Sequence, residues 1–174
     1  MPSRGTAVRT KPRLEILRGN EPTLPKHLTR TAPVKSGVTI VSGQVISLEW
    51  QAGVEEYHWV LGGAAGAIPH IAVQDSVDFD VLEAGGLTGL SCLGPFEVQT
   101  AFYKSAETYN QDTLLTYDST TGDVKPTTAG SEAPIIGVIT HLRGVKNIAD
   151  ENSSVLPANA NVITWATHYE QNLT

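Results

Sequence analysis

The fold class this sequence predicts is all-β: one barrel or sandwich domain with an extended N-terminal arm. Three observations carry that prediction. Charged residues make up only 17% of the 174, while Gly (16) and Pro (10) are plentiful. That balance suits short strands and turns better than a bundle rich in Ala, Glu, Lys and Leu. Runs rich in Val, Ile and Thr recur between Gly-, Pro-, Asp- and Ser-rich breaks, about eight to ten of them at regular spacing, with no convincing long helix. Finally, the charge is divided. Residues 1–35 hold eight basic and two acidic residues, a formal +6, and residues 36–174 hold four and sixteen, a formal −12, which together return the net −6. A basic arm (1–35) on an acidic body (36–174) is the implied organisation.

The arm contains Pro2, Pro12, Pro22, Pro25 and Pro33. Prolines at this spacing remove backbone donors and bias the residues before them to extended conformations. Only "RLEILRGN" (13–20) suggests a turn or two of helix, stopped by Gly19-Asn20. Laid across a neighbour, the arm would anchor through Leu14, Ile16, Leu17, Leu24 and Leu28. Its Arg4, Arg9, Arg13, Arg18, Lys26 and Arg30 would meet an acidic partner surface. Nucleic acid is not the expected partner: the arm has no aromatic residue to stack on bases, its charges are dispersed, and the acidic body repels phosphate.

In the body, "SGVTIVSGQVISLEW" (36–50) reads as strands at 38–41 and 44–50 separated by Ser42-Gly43. In the second, Val45, Ser47 and Glu49 alternate with Ile46, Leu48 and Trp50, the pattern of a half-buried strand. "EEYHWVLGG" (55–63) sets Tyr57, Trp59 and Leu61 on one face, and "PHIAVQD" (69–75) is a further strand. The stretch 75–103 turns through Gly85-Gly86 and Gly89, breaks at Gly94-Pro95 and resumes at Phe96–Tyr103. Next come a strand at 113–117, a hairpin turn from Asp118 to Gly122, strands at 123–126 and 135–142, and the closing "NVITWATHY" (161–169).

The positions that suggest reactive chemistry each lack part of what it needs. Cys92 is the single cysteine, which excludes an intrachain disulfide and a cysteine zinc site and reads as a small buried hydrophobe. "GGAAGAIPH" (62–70) lacks the Lys-Ser/Thr that completes a phosphate loop, so it reads as a loop. Ser91 misses the nucleophile elbow because Leu93 takes the place of its second glycine. Asp75, Asp78 and Asp80 lack the rest of a calcium loop and read as a solvated acidic turn. The five histidines form no metal-ligand spacing. Glu55 and Glu56, as neighbours on a strand, would point to opposite faces, which is wrong for an acid–base pair. Trp50, Trp59 and Trp165 are expected in the core. No enzyme activity, metal or cofactor follows from any of these.

The basic N-terminus is not followed by the apolar core of a secretory leader. The stretches 57–74 and 152–169 lack Asp, Glu, Lys and Arg but carry His and Pro, so neither reads as a membrane span. A soluble protein made in the cytoplasm is expected.

Four stretches together resemble the decoration (cement, or head-stabilisation) proteins of tailed bacteriophages. They are "VKSGVTIVSGQVISLEW" with "YHWVLG"; "IAVQDSVDFDVLEAGGLTGLSCLGPFEVQTAFY"; "DTLLTYDSTTGDVKPTTAGSEAPIIGVIT"; and "NVITWATHY", spanning roughly residues 35–169. The likeness is one of strand and turn order, with no reactive signature. It implies a β-barrel or β-tulip-like domain, commonly a homotrimer, on the outer capsid surface of the virion. There it would bridge neighbouring major capsid proteins and stabilise the shell against internal DNA pressure, without enzyme activity. The alternatives are another phage structural part (tail-tube, baseplate or capsid-fibre base protein) or a carbohydrate-binding adhesion module.

Overall fold

The computed structural model describes residues 14–18, 28–63, 67–78, 81–82, 85–94, 96–128, 134–141 and 162–170, with backbone alone at 14–18, 141 and 168–170. It is all-β. Strands β1 (Leu14–Arg18), β7 (Glu97–Thr100), β8 (Leu114–Tyr117), β9 (Val124–Pro126), β10 (Ile135–His141) and β11 (Ile163–Glu170) make one sheet, ordered β1-β7-β11-β10-β8-β9. Strands β2 (Thr29–Ala32), β3 (Val45–Gln51), β4 (Glu56–Leu61), β5 (His70–Ala72) and β6 (Leu87–Ser91) make the other, ordered β2-β6-β5-β3-β4. Every pairing between named strands is antiparallel.

Two apolar clusters follow from strand alternation. Val45, Ile71 and Leu90 of the five-stranded sheet, with Cys92 just beyond β6, pack with Val98, Leu115, Ile136, Ile163 and Trp165 of the other, so one core lies between the sheets. Ile46, Trp59, Ala72 and Leu87 point the opposite way, where Ile40 and Val81 join them. Val45 and Ile46 are both fully buried because consecutive side chains serve different cores. The half-buried alternation expected of this strand is therefore not seen: its first three residues are all buried, and beyond them Leu48, Glu49 and Gln51 are half-buried and Trp50 exposed.

The second core is enclosed because the five-stranded sheet curls toward closure. Beyond β2 the chain runs alongside the free edge of β4. Trp59 N–H donates to Pro33 O (2.8 Å) and Lys35 N–H to Trp59 O (3.0 Å), in a parallel bridge between Val34 and Trp59. That rung joins the two ends of the sheet.

Several expectations are corrected here. Residues 13–20 do not form a helical turn: Leu14–Arg18 is a strand paired with β7, in which Leu14 faces Thr100 and Ile16 faces Val98. An open edge at β7 offers a ladder of backbone hydrogen bonds, which outweighs a weak local helix preference. Two stretches of the expected arm are thus sheet strands, since Thr29–Ala32 also pairs with Leu87–Leu90 of β6. Residues 38–41 are not a strand. The Ile40 N–H donates to Ser76 Oγ (3.0 Å), Val41 N–H to Gln44 Oε1 (2.7 Å) and Ser42 N–H to Asp75 Oδ1 (2.8 Å), so side chains take the place of a neighbouring strand. Gly89 is no turn but the middle of β6. A Cβ there would lie 2.9 Å from the Trp59 ring, so the glycine makes room for the indole.

The hairpin between β8 and β9 joins the sheets. Gly122 has φ +70°, and its carbonyl accepts from Val45 N–H (2.8 Å), while Gln44 Nε2 donates to Thr121 O (2.9 Å). Asp118 holds the turn: its Oδ1 accepts the backbone N–H groups of Thr121 and Thr120, both at 2.9 Å, and its Oδ2 lies 3.3 Å from Lys104 Nζ. Those two N–H groups, Thr121 first, hold the carboxyl at about 2. A depressed carboxylate stabilises the fold above its unfolded pKa, about 3.9, and that contribution is lost as pH falls toward 2. With side-chain exposure of 26% the effect is discounted to about 1 kcal/mol. Urea titrations are expected to show stability falling between about pH 4 and 2. Asp118→Asn, which keeps an acceptor oxygen, should flatten that part of the profile. An unchanged slope would remove Asp118 from the account.

Candidate functional site

Trp59 and Trp165 are fully buried as expected, but Trp50 is 51% exposed. The reason lies in the β3–β4 hairpin. Trp50 pairs directly with Tyr57, one rung from the closing pair Gln51–Glu56, where the strands run past the end of the core. Alternation keeps both side chains on the face that carries Leu48, Trp59 and Leu61 inside the curled sheet. The aromatic row therefore continues from the second core out to its mouth. Tyr57 is 56% exposed, and its ring meets that of Trp50 edge to face, centroids 5.0 Å apart at 66°.

Beside this pair the sheet stays unjoined. The Val34–Trp59 rung closes the seam between β2 and β4 at one end; at the other, Thr29–Ala32 and Glu56–Tyr57 stand apart. The gap is a groove of about 920 Å³ with Leu48, Trp50 and Tyr57 on one wall and the β2 residues on the other. Arg30 shares its strand face with Ala32, which packs on the second core, so alternation places the guanidinium over the same mouth.

Glu55 and Glu56 both border this groove, but Glu56 alternates with Tyr57, so its carboxylate lies on the opposite face of β4 with His58. Glu55 is not in a strand: it ends the hairpin loop with φ +55°, a left-handed conformation costly for a residue with a Cβ. Glu56 Oε2 lies 3.6 Å from His58 Nε2. On that same face, where Glu49 pairs with His58, Lys35 Nζ donates to Glu49 Oε1 at 2.8 Å. That bond, then one from Gln51 Nε2, lowers the Glu49 pKa.

The other positions weighed in the sequence have structural duties. Cys92 is buried, and burial pushes its thiol pKa up, away from reactivity. His70 is buried against Trp59 with its Nδ1 2.9 Å from Ile68 O; burial lowers its pKa, and a carbonyl partner requires the proton on Nδ1. Asp75 fastens the 40–43 segment, and its backbone N–H donates to Asp78 Oδ2 (3.3 Å). Asp80 lies outside the described residues. Among the described residues no three of His, Cys, Asp and Glu come together as a metal site, and no helix is long and apolar enough to cross a membrane.

The arm residues divide three ways. Leu14, Ile16, Leu17 and Arg18 lie on β1, at the edge of the six-stranded sheet. Leu28 is half-buried against the inter-sheet core of its own chain, and Arg30 is exposed on β2. Arg4, Arg9, Arg13, Leu24 and Lys26 lie outside the described residues. Sequence reasoning missed the Trp50–Tyr57 pair. The available signal was symmetry about the turn: residues 50 and 57 are equidistant from the 52–55 loop and so face each other across the hairpin. The chain matches no protein-family model, and no curated protein matches its sequence.

Proposed function

We propose that this chain is a decoration protein of a tailed bacteriophage, a structural and non-enzymatic part. In this reading it forms trimers on the outside of the icosahedral shell and bridges neighbouring major capsid proteins. The observation that carries the reading is where the basic segment sits. Eight of the twelve Lys and Arg residues lie in the first 35 positions. The described parts of that segment are the edge strands of both sheets, β1 of one and β2 of the other. An edge strand presents one row of backbone groups outward, so basic charge and the outer edge of β1 lie together on the border of an acidic body. The order of strands and turns, similar to that of decoration proteins, supplies the class of partner. Each arm contributes a modest interaction, and three per trimer act together through effective concentration. Opening a decorated shell must then break these bridges as well.

The test is addition of the purified protein to undecorated shells. Near-stoichiometric uptake and a raised shell melting temperature are expected. Replacing Arg4, Arg9 and Arg13 with Glu should weaken uptake by about tenfold at low salt, with the difference shrinking as salt screens the contacts. Shells that neither take up the protein nor melt higher would overturn the proposal, and equal uptake by the Glu variant would overturn the role of the basic segment.

A further inference from the structure

We propose that the groove at the mouth of the five-stranded sheet binds a neutral pyranose oligosaccharide, with Trp50 and Tyr57 as its stacking surfaces. The aromatic pair is the first reason. Two rings more than half exposed, meeting at 66°, form an apolar corner: a sugar's C–H face lies on one ring while its edge abuts the other. The surroundings are the second. Glu55 supplies acceptors at the rim and Arg30 supplies donors in a fixed fork. Sugar hydroxyls, each both donor and acceptor, complement such a set.

Charge narrows the class. One carboxylate, Glu55, beside one guanidinium, Arg30, leaves the groove formally neutral, which favours an uncharged ligand over phosphate, sulfate or an acidic sugar. Size and shape narrow it again. About 920 Å³ falls in the upper part of the 300–1,000 Å³ typical of ligand sites, room for more than one ring. The seam is open only over the short stretch between Thr29–Ala32 and Glu56–Tyr57, too brief for an added peptide strand. Glu55, left-handed at the end of the hairpin loop, borders the groove at its rim.

Tryptophan fluorescence of the full-length protein tests this directly. Trp59 and Trp165 are fully buried, so a change in the solvent-exposed emission reports Trp50. Titration with neutral tri- and tetrasaccharides (chitotriose, cellotetraose, laminaritetraose and mannotriose) should give saturable binding to at least one. Trp50→Ala, followed by calorimetry because the reporter is gone, should weaken that binding by about tenfold or more, and Tyr57→Ala by a smaller factor. Both side chains lie beyond the core, so both variants are expected to keep the wild-type melting temperature. No saturable binding to any of the four sugars would overturn the proposal, as would binding that survives both substitutions. Loss of shell uptake in these variants without sugar binding would also overturn it, assigning the groove to a protein partner instead.

Discussion

Trp59→Ala is expected to destabilise the fold by about 3–5 kcal/mol, the range for emptying a buried aromatic site. Trp59 stands where the whole five-stranded sheet converges. Its ring fills the space above Gly89 and packs edge to face on His70, 5.0 Å between centroids. Its Nε1 donates to Leu87 O at 2.7 Å, and its own N–H and C=O make the rung that closes the sheet. The side-chain hydrogen bond is separable by comparison with Trp165. Trp165 is equally buried, but its Nε1 has no partner among the described residues. Trp59→Phe removes a made bond and strands a carbonyl, whereas Trp165→Phe removes a buried donor that was unpaired. Trp59→Phe should therefore cost about 1 kcal/mol more than Trp165→Phe. Urea-unfolding midpoints at constant m-value measure the difference. Equal costs would mean that the Leu87 bond contributes nothing net.

Deleting residues 1–33 is expected to remove most of the folding stability, at least about 5 kcal/mol of the 5–15 kcal/mol typical of a domain. The deletion takes away β1, β2, the Leu28 and Ala32 side chains packed on the two cores, and the Pro33 carbonyl that Trp59 N–H requires. Both sheets would be left with a new open edge, a template for aggregation. Deleting residues 1–12 removes Arg4, Arg9 and Lys11 but no described strand, and should leave the thermal midpoint within a few degrees of wild type. A cooperative, near-wild-type melt of the longer deletion would mean that β1 and β2 are dispensable to the body.

These two results bear on what could be read from the sequence. β3, β4, β8, β9, β10 and β11 fell close to their expected places because each is a β-branched or aromatic run bounded by turn residues. Misreadings clustered where non-local partners decide the backbone. "LEILR" has acceptable helix formers and becomes a strand because β7 offers it an edge. "VTIV" has strong strand formers and remains irregular because the Ser76 and Gln44 side chains take the Ile40 and Val41 N–H groups, and Asp75 that of Ser42 just after it. Gly89 looked like punctuation, yet its meaning depends on an indole thirty positions earlier.

The groove was less legible still. Trp50 and Trp59 look alike as strand aromatics, and only the point where the second core ends distinguishes buried from exposed. Glu55 was misplaced for a related reason: alternation applies within a strand, and Glu55 lies outside one with φ +55°. The N-terminal segment is basic by composition, and two of its described parts, Leu14–Arg18 and Thr29–Ala32, are strands. That its strands would lie in both sheets of the same chain depended on edges that composition does not reveal.

Image reconstruction of shells incubated with the full-length protein tests the central claim most directly. The expected result is added density on the outer surface at the junctions between major capsid proteins. It should fit the two-sheet body, with the basic N-terminal segment running toward the shell. Shells without added density, or density confined to the tail or baseplate, would contradict the account.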